Sequence, residues 1–219
     1  NLRMETFKHF DIKKEIEVIV NFVDVSRFQR QPINAFKKVI APNGERILLH
    51  ASNFRKIKRV QDVVNIFAEV NKQIPSKLLF VGDGPERSTA EDLARELGVC
   101  DEIQFVGKQE QMEDIMPIAD LFLLTSEYES FGLAALEAMA AGVPVVSTNA
   151  GGLSEIVTDG DNGYMGDVGD VATMSKHALA ILKDDHTLNE FKKRAAEHAK
   201  KFDISKIIPL YEKLYERFL

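Results

Sequence analysis

The sequence predicts a doubly wound α/β domain, a parallel sheet of about five or six strands with helices on both faces, followed by C-terminal helices. Three observations predict it. Short apolar runs alternate with helical patterns through most of the chain. The runs are continuous rather than alternating, as expected of strands covered on both faces. Each run stops at a turn-forming or polar cluster, and parallel strands joined this way need right-handed helical crossovers.

The elements follow in order. The stretch 25–44 is polar and weakly patterned, and it is expected to hold one short helix from Ile33 to Ile40. Ile47-Leu48-Leu49 lies in the first strand, which ends near Ala51. Val60, Val63, Val64, Phe67, Val70 and Ile74 recur at helical spacing. Leu78-Leu79-Phe80-Val81 reads as a strand stopped by Gly82-Asp83-Gly84-Pro85. A helix over Glu86–Leu97 closes at Gly98, a natural terminator. Ile103-Gln104-Phe105-Val106 is the next strand, and a short helix over Gln109–Ile115 leads to Leu121-Phe122-Leu123-Leu124. Leu133–Ala141 is helical and delivers Val143-Pro144-Val145-Val146. Three helices end the chain, carried by Val171 to Leu182, Leu188 to Phe202 and Ile204 to Phe218. Pro209 is expected in the first turn or so of the last helix if Asp203 or Ser205 caps it, and there its missing N–H costs little.

Composition limits what such a domain can do. Of 219 residues 45% are hydrophobic and 28% charged, which suits a globule with a sizeable core and excludes a disordered chain. The net charge of −6 argues against a general nucleic-acid binder. One cysteine, Cys100, excludes a disulfide framework and a multi-cysteine zinc site, and it suits a reducing cytosol. No apolar run reaches the roughly 18 residues needed to span a bilayer. The reading is therefore cytoplasmic, with no membrane and no nucleic-acid partner. The chain starts at Asn1 in mid-pattern, so a fragment or processed chain is expected.

In this fold class ligands bind beyond the carboxyl ends of the strands. After the first strand comes a basic cluster, Arg55, Lys56, Lys58 and Arg59, with no acid until Asp62. The helix dipole disfavours cations at a helix start. An anion site therefore explains the cluster better than a solvated face does, with Arg as a planar fork and Lys as a point charge. Gly82-Asp83-Gly84-Pro85 lacks the third glycine of a dinucleotide fingerprint, since position 87 is Arg; a tight turn is the better reading. Glu129-Ser130-Phe131-Gly132-Leu133 opens a helix whose first N–H groups would cradle a phosphate. A carboxylate repels phosphate, so Glu129 and Glu137 are assigned to sugar hydroxyls rather than to a diphosphate. Ala150-Gly151-Gly152 would permit close backbone approach. Asp159-Gly160-Asp161 sits among turn formers and reads as a turn, not a metal motif. His50 reads as a core histidine, and none of the five histidines has metal spacing.

Glu129 to Glu137 resembles the E-x7-E element of retaining glycosyltransferases of the GT-B fold. Asn21-Phe22-Val23-Asp24, Ser52-Asn53-Phe54-Arg55 with Lys58, Gly82-Asp83-Gly84-Pro85, Phe105-Val106-Gly107, Glu137 through Val146 and Gly151-Gly152 resemble other elements of that family, in its order. The wording Ser52 to Val60 is similar to the N-acetylglucosaminyl L-malate synthase subfamily of bacillithiol biosynthesis. Arg55 and Lys58 are three apart, closer than is usual in the family, and Lys56 and Lys58 both stay open as the phosphate-binding lysine.

The resemblance implies a Rossmann-like, nucleotide-sugar-binding half over 16–203, preceded by the tail of an N-terminal domain or linker over 1–15. The helix over 204–219 would cross toward that domain. It implies transfer of GlcNAc from UDP-GlcNAc to L-malate with retention, without metal or cofactor, by the full-length enzyme. Arg55, Lys58 and Glu129 would be catalytic. Asn53, Gly107, Lys108, Ser130, Phe131, Gly132, Leu133 and Glu137 would bind the donor. Another GT-B glycosyltransferase, a sugar-nucleotide epimerase half and a nucleotide-binding module without activity of its own are the alternatives. An apolar stripe over Ile207, Ile208, Tyr211, Leu214, Tyr215 and Phe218 is expected to be partly exposed and to favour self-association.

Overall fold

The computed structural model describes residues 2–10, 16–30 and 34–219. Its centre is a six-stranded, wholly parallel sheet: β1 (Arg46–Ser52), β2 (Ser76–Gly82), β3 (Ile103–Phe105), β4 (Leu121–Leu124), β5 (Val145–Thr148) and β6 (Gly163–Gly166). The strand order is β3-β2-β1-β4-β5-β6. That order reverses direction between β1 and β4, which marks the switch point where a crevice opens. Leu48 pairs with Leu121 and Leu49 with Phe122 across it.

Ten helices accompany the sheet among the described residues: α1 (Leu2–His9), α2 (Val25–Phe28), α3 (Asn34–Ile40), α4 (Val60–Asn71), α5 (Arg87–Glu96), α6 (Met112–Ile115), α7 (Leu133–Ala140), α8 (Val171–Leu182), α9 (Asp185–Ala199) and α10 (Ile204–Glu216). Side chains alternate across a strand, and the continuous apolar runs fill both faces. Ile47, Leu49, Leu79, Val81, Phe122, Leu124 and Val145 pack on one side with Leu136, Met139 and Ala195. Leu48, Leu78, Phe80, Leu121, Leu123 and Val146 pack on the other with α4, Ala90 and α8.

Several boundaries moved. Ile33 lies outside the described residues, and α3 begins at Asn34. The helix expected from Gln109 begins only at Met112. β6 was not anticipated, because Gly-Tyr-Met-Gly has neither an apolar run nor alternation; it is recruited by pairing with β5. The segment before it does turn, as expected, with Gly160 N–H donating to the Gly163 carbonyl at 2.9 Å. Asp203, one of the two expected caps, caps α10, and Pro209 falls at its sixth residue, past the first turn. The Ser205 carbonyl therefore lacks its usual donor. Both residues are exposed, so water takes the lost bond and the helix runs on.

Asp203 also returns the chain end to residues 23–25. Its Oδ1 accepts from the Ser205 N–H at 3.0 Å and its Oδ2 from the Val25 N–H at 3.2 Å. The stripe on α10 is divided. Ile207 is buried and Tyr211 meets Phe22 edge-on, whereas Tyr215 and Phe218 are 62% and 81% exposed.

Candidate functional site

The loops after β1 and β4 meet over the switch point and enclose a cleft of about 310 Å³. Asn53, Lys58, Glu129, Ser130, Phe131, Gly132 and Leu133 all line it, together with Asn21. Seven of the sequence-predicted residues thus converge on one place. Arg55 sits on the same loop, exposed and outside that lining. Among the described residues Arg55 and Lys56 have no ion-pair partner.

Lys58 and Glu129 form an ion pair within the cleft. Glu129 Oε1 also accepts from the Ser126 hydroxyl at 2.9 Å. The loop carrying Lys58 is stapled from beneath: Thr125 Oγ1 donates to the Lys58 and Arg59 carbonyls at 2.9 and 3.0 Å. The Glu127 N–H donates to the Ile57 carbonyl at 2.8 Å.

Helix α7 starts at the cleft wall. Gly132 is its N-cap at φ 92°, and no side chain caps it. The N–H groups of Gly132, Leu133 and Ala134 have no hydrogen-bond partner among the described residues. They and the helix dipole make a place for an anion. The glycine pair after β5 packs against this loop. The Gly152 N–H donates to the Glu129 carbonyl at 2.8 Å, and a Cβ on Gly152 would lie 2.3 Å from the Ser130 carbonyl oxygen. Gly84 does the same for the β1 loop, where a Cβ would fall 2.1 Å from the Asn53 carbonyl oxygen. Its motif is a packing turn, as the sequence suggested.

Glu137 is separate from Glu129. It lines a neighbouring cleft of about 590 Å³ with Arg27, Glu110 and Glu113, and the two clefts share Asn21 and Leu133. Burial pushes the Glu137 carboxyl above the usual carboxylate range, against the pull of Arg27 and with the help of Glu113. Arg27 itself donates to Glu113 Oε1 at 3.0 Å. Gly107 and Lys108 line neither cleft; the Gly107 carbonyl accepts from Gly82 N–H at 2.8 Å at the sheet edge.

His50 lies directly beneath, fully buried. Its Nδ1 faces the Leu123 carbonyl at 2.9 Å, which can only accept, so Nδ1 carries the proton. Nε2 then accepts from the Ser52 hydroxyl at 2.8 Å. Burial pushes its pKa down to about 4, despite the Leu123 carbonyl and with Lys58 adding to the fall. It is a core histidine, as expected.

Thr125, Ser126 and Arg27 were not singled out from sequence. Thr125 and Ser126 directly follow an apolar run, which is where this fold class places its sites; Arg27 lies in the weakly patterned stretch and gave no signal. Among the described residues there is no cluster of metal-ligating side chains, and no helix is long and apolar enough to cross a membrane.

The family model for glycosyl transferases group 1 matches residues 33–201. An N-acetyl-alpha-D-glucosaminyl L-malate synthase from Bacillus anthracis is 41% identical over 213 residues, covering 96% of this chain and 56% of the relative. A glycosyltransferase from Rickettsia africae superposes with a TM-score of 0.87 at 19% identity, over 99% of this chain and 61% of that one. HepE from Anabaena, solved in complex with UDP and glucose, superposes with a TM-score of 0.82 at 25% identity, over 91% of this chain and 57% of HepE. The chain spans about half the length of the curated relatives it matches. A matched family model over most of the sequence, together with a sheet that follows GT-B glycosyltransferase structures, shows that the chain belongs to the group 1 glycosyl transferases.

Proposed function

We propose that this chain is the donor-binding half of a retaining, UDP-sugar-dependent glycosyltransferase that needs no metal. The observation that carries the proposal is the switch-point cleft, where Lys58 and Glu129 face the open start of α7. As UDP departs it gains negative charge while the sugar becomes oxocarbenium-like. Lys58, Arg55 and the α7 N–H groups stabilise that charge by preorganised electrostatics, in the role a metal plays elsewhere. Lys58 is preferred to Lys56 because it alone lines the cleft. Glu129 takes the donor sugar, Glu137 the ribose hydroxyls, and the backbone near Gly107 and Lys108 the base.

The 41% identical relative supports GlcNAc as the sugar and L-malate as the acceptor. In this reading 16–203 binds the nucleotide sugar. A preceding domain, of which 1–15 is the tail, supplies the acceptor site, and 204–219 packs against it. The exposed part of α10 would otherwise favour self-association.

Two experiments test the reading. UDP titrated into this chain by calorimetry should bind equally with and without excess EDTA; loss of binding in EDTA would sink the metal-free claim. Full-length enzyme supplied with UDP-GlcNAc and L-malate should form the α-linked product, whereas the 219-residue chain alone should form none.

A further inference from the structure

Strand β4 runs out into two adjacent hydroxyls, Thr125 and Ser126, both buried, and each reaches a different half of the ion pair. Thr125 Oγ1 divides its hydrogen bond between the Lys58 and Arg59 carbonyls. Arg59 is held at φ 48°, a left-handed backbone that is uncommon for a residue other than glycine. The turn that presents Lys58 is thus not one its own residues prefer, and Thr125 grips it at that point. Ser126 acts on the opposite partner. Its hydroxyl donates to Glu129 Oε1 at 2.9 Å, and its carbonyl is fixed by the Thr148 hydroxyl at 2.6 Å. Oε1 therefore takes both Lys58 and Ser126, while Oε2 has no partner among the described residues.

We propose that Thr125 and Ser126 are positioning residues with separate tasks. Thr125 sets where Lys58 offers its ammonium to a diphosphate. Ser126 holds one oxygen of Glu129, leaving the other for a sugar hydroxyl and leaving Lys58 free to turn to phosphate without Glu129 following. The inference rests on the donor-site reading of the cleft.

Calorimetry on this chain separates the two tasks, with inorganic pyrophosphate, UDP and UDP-GlcNAc as probes and urea midpoints taken alongside. Thr125→Val should weaken pyrophosphate and UDP in parallel by about tenfold, the scale of one hydrogen bond to a charged group. Thr125→Ser should recover most of that loss. Ser126→Ala should leave pyrophosphate and UDP within about twofold of the unaltered chain and shift the UDP-GlcNAc to UDP affinity ratio toward UDP. Thr125→Val binding like the unaltered chain would overturn the proposal, as would Ser126→Ala weakening pyrophosphate as much as UDP-GlcNAc. Thr125→Ala is carried as a second hydroxyl-free variant; failure of both to fold would make the hydroxyl a folding element and overturn the positioning role. If the unaltered chain binds neither UDP nor UDP-GlcNAc, the donor-site reading itself has failed and this inference falls with it.

Discussion

Strand β4 carries an ion pair at each end, and the two pairs are built for different purposes. Below its first residue, Asp120 is 3% exposed and fully engaged. Lys192 lies at 2.7 Å, Lys37 at 3.6 Å, and the Ile47 N–H donates to Oδ2 at 3.1 Å. Burial alone would raise its pKa, but Lys192, Lys37 and that N–H hold it below the usual carboxylate range. Above the last residue, Glu129 and Lys58 share one contact and border an open cleft beside unpaired helix N–H groups. Both oxygens of the lower carboxylate are taken. The upper carboxylate keeps one oxygen with no partner among the described residues. Satisfaction at the amino ends and residual capacity at the carboxyl ends is what one expects where a sheet is anchored at one edge and binds at the other.

Substitutions at six positions test that contrast and follow in descending order of effect. Asp120→Ala should cost about 3 kcal/mol of stability, the low end for breaking a buried pair because Lys192 and Lys37 can still reach water. Its folded carboxyl sits below the unfolded value of 3.8, so its stabilisation is present above that pH and lost as the pH falls through it toward the folded value. Urea melts at several pH values should show the variant less acid-sensitive below about pH 4, with UDP affinity unchanged in the molecules that remain folded. A weakened UDP affinity would mean the two ends are coupled.

Lys58→Ala should reverse the balance. UDP binding should weaken by about 1.5–3 kcal/mol, while stability moves by less than it does for Asp120→Ala, because this pair, 20% and 14% exposed, borders the open cleft. Arg55→Ala should weaken UDP near the lower end of that range, and Lys56→Ala less. Equal effects of Arg55 and Lys56 would remove Arg55 from the proposed clamp.

Glu129→Gln releases Lys58 from its competitor. Pyrophosphate should bind about threefold tighter, since the ammonium no longer pairs with a carboxylate, while UDP-GlcNAc loses ground to UDP. Weaker pyrophosphate binding would mean that Glu129 holds Lys58 in place rather than occupying it.

The smallest effect should come from Glu137→Gln. Burial raises this carboxyl above its unfolded value, so its ionisation opposes folding once the pH exceeds that value. Removing the charge should slightly raise the urea midpoint at neutral pH and leave it unchanged below about pH 4. UDP should weaken while pyrophosphate does not. If pyrophosphate weakens equally, Glu137 supports α7 and not a ribose.

Much of this was legible along the chain. The continuous runs at Leu48, Leu78, Leu121 and Val145 named four central strands, because strands covered on both faces need no polar positions. The block Glu129 to Leu133 named its helix start, because Gly132 ends a turn and the apolar pattern begins after it. Other features were not legible. β6 has no apolar run and forms only because β5 offers it an edge. Of the two caps open to α10, Asp203 and Ser205, the structure takes Asp203, which puts Pro209 past the first turn. The split between Glu129 and Glu137 into adjoining clefts follows from the loops that surround α7, not from their spacing.

Apolar period and turn chemistry are local properties, so the fold class, the order of most elements and the loops that come to line the switch-point cleft were readable along the chain. Long-range packing, by contrast, sets that Lys58 and not Lys56 faces the cleft, that Thr125 and Ser126 stand behind the pair, and that Asp120 is committed to the fold. Those outcomes depend on contacts between residues about 70 positions apart, such as Lys58 with Glu129 and Asp120 with Lys192. Such contacts exist only once the crossovers have brought strand ends together, and no local pattern encodes them.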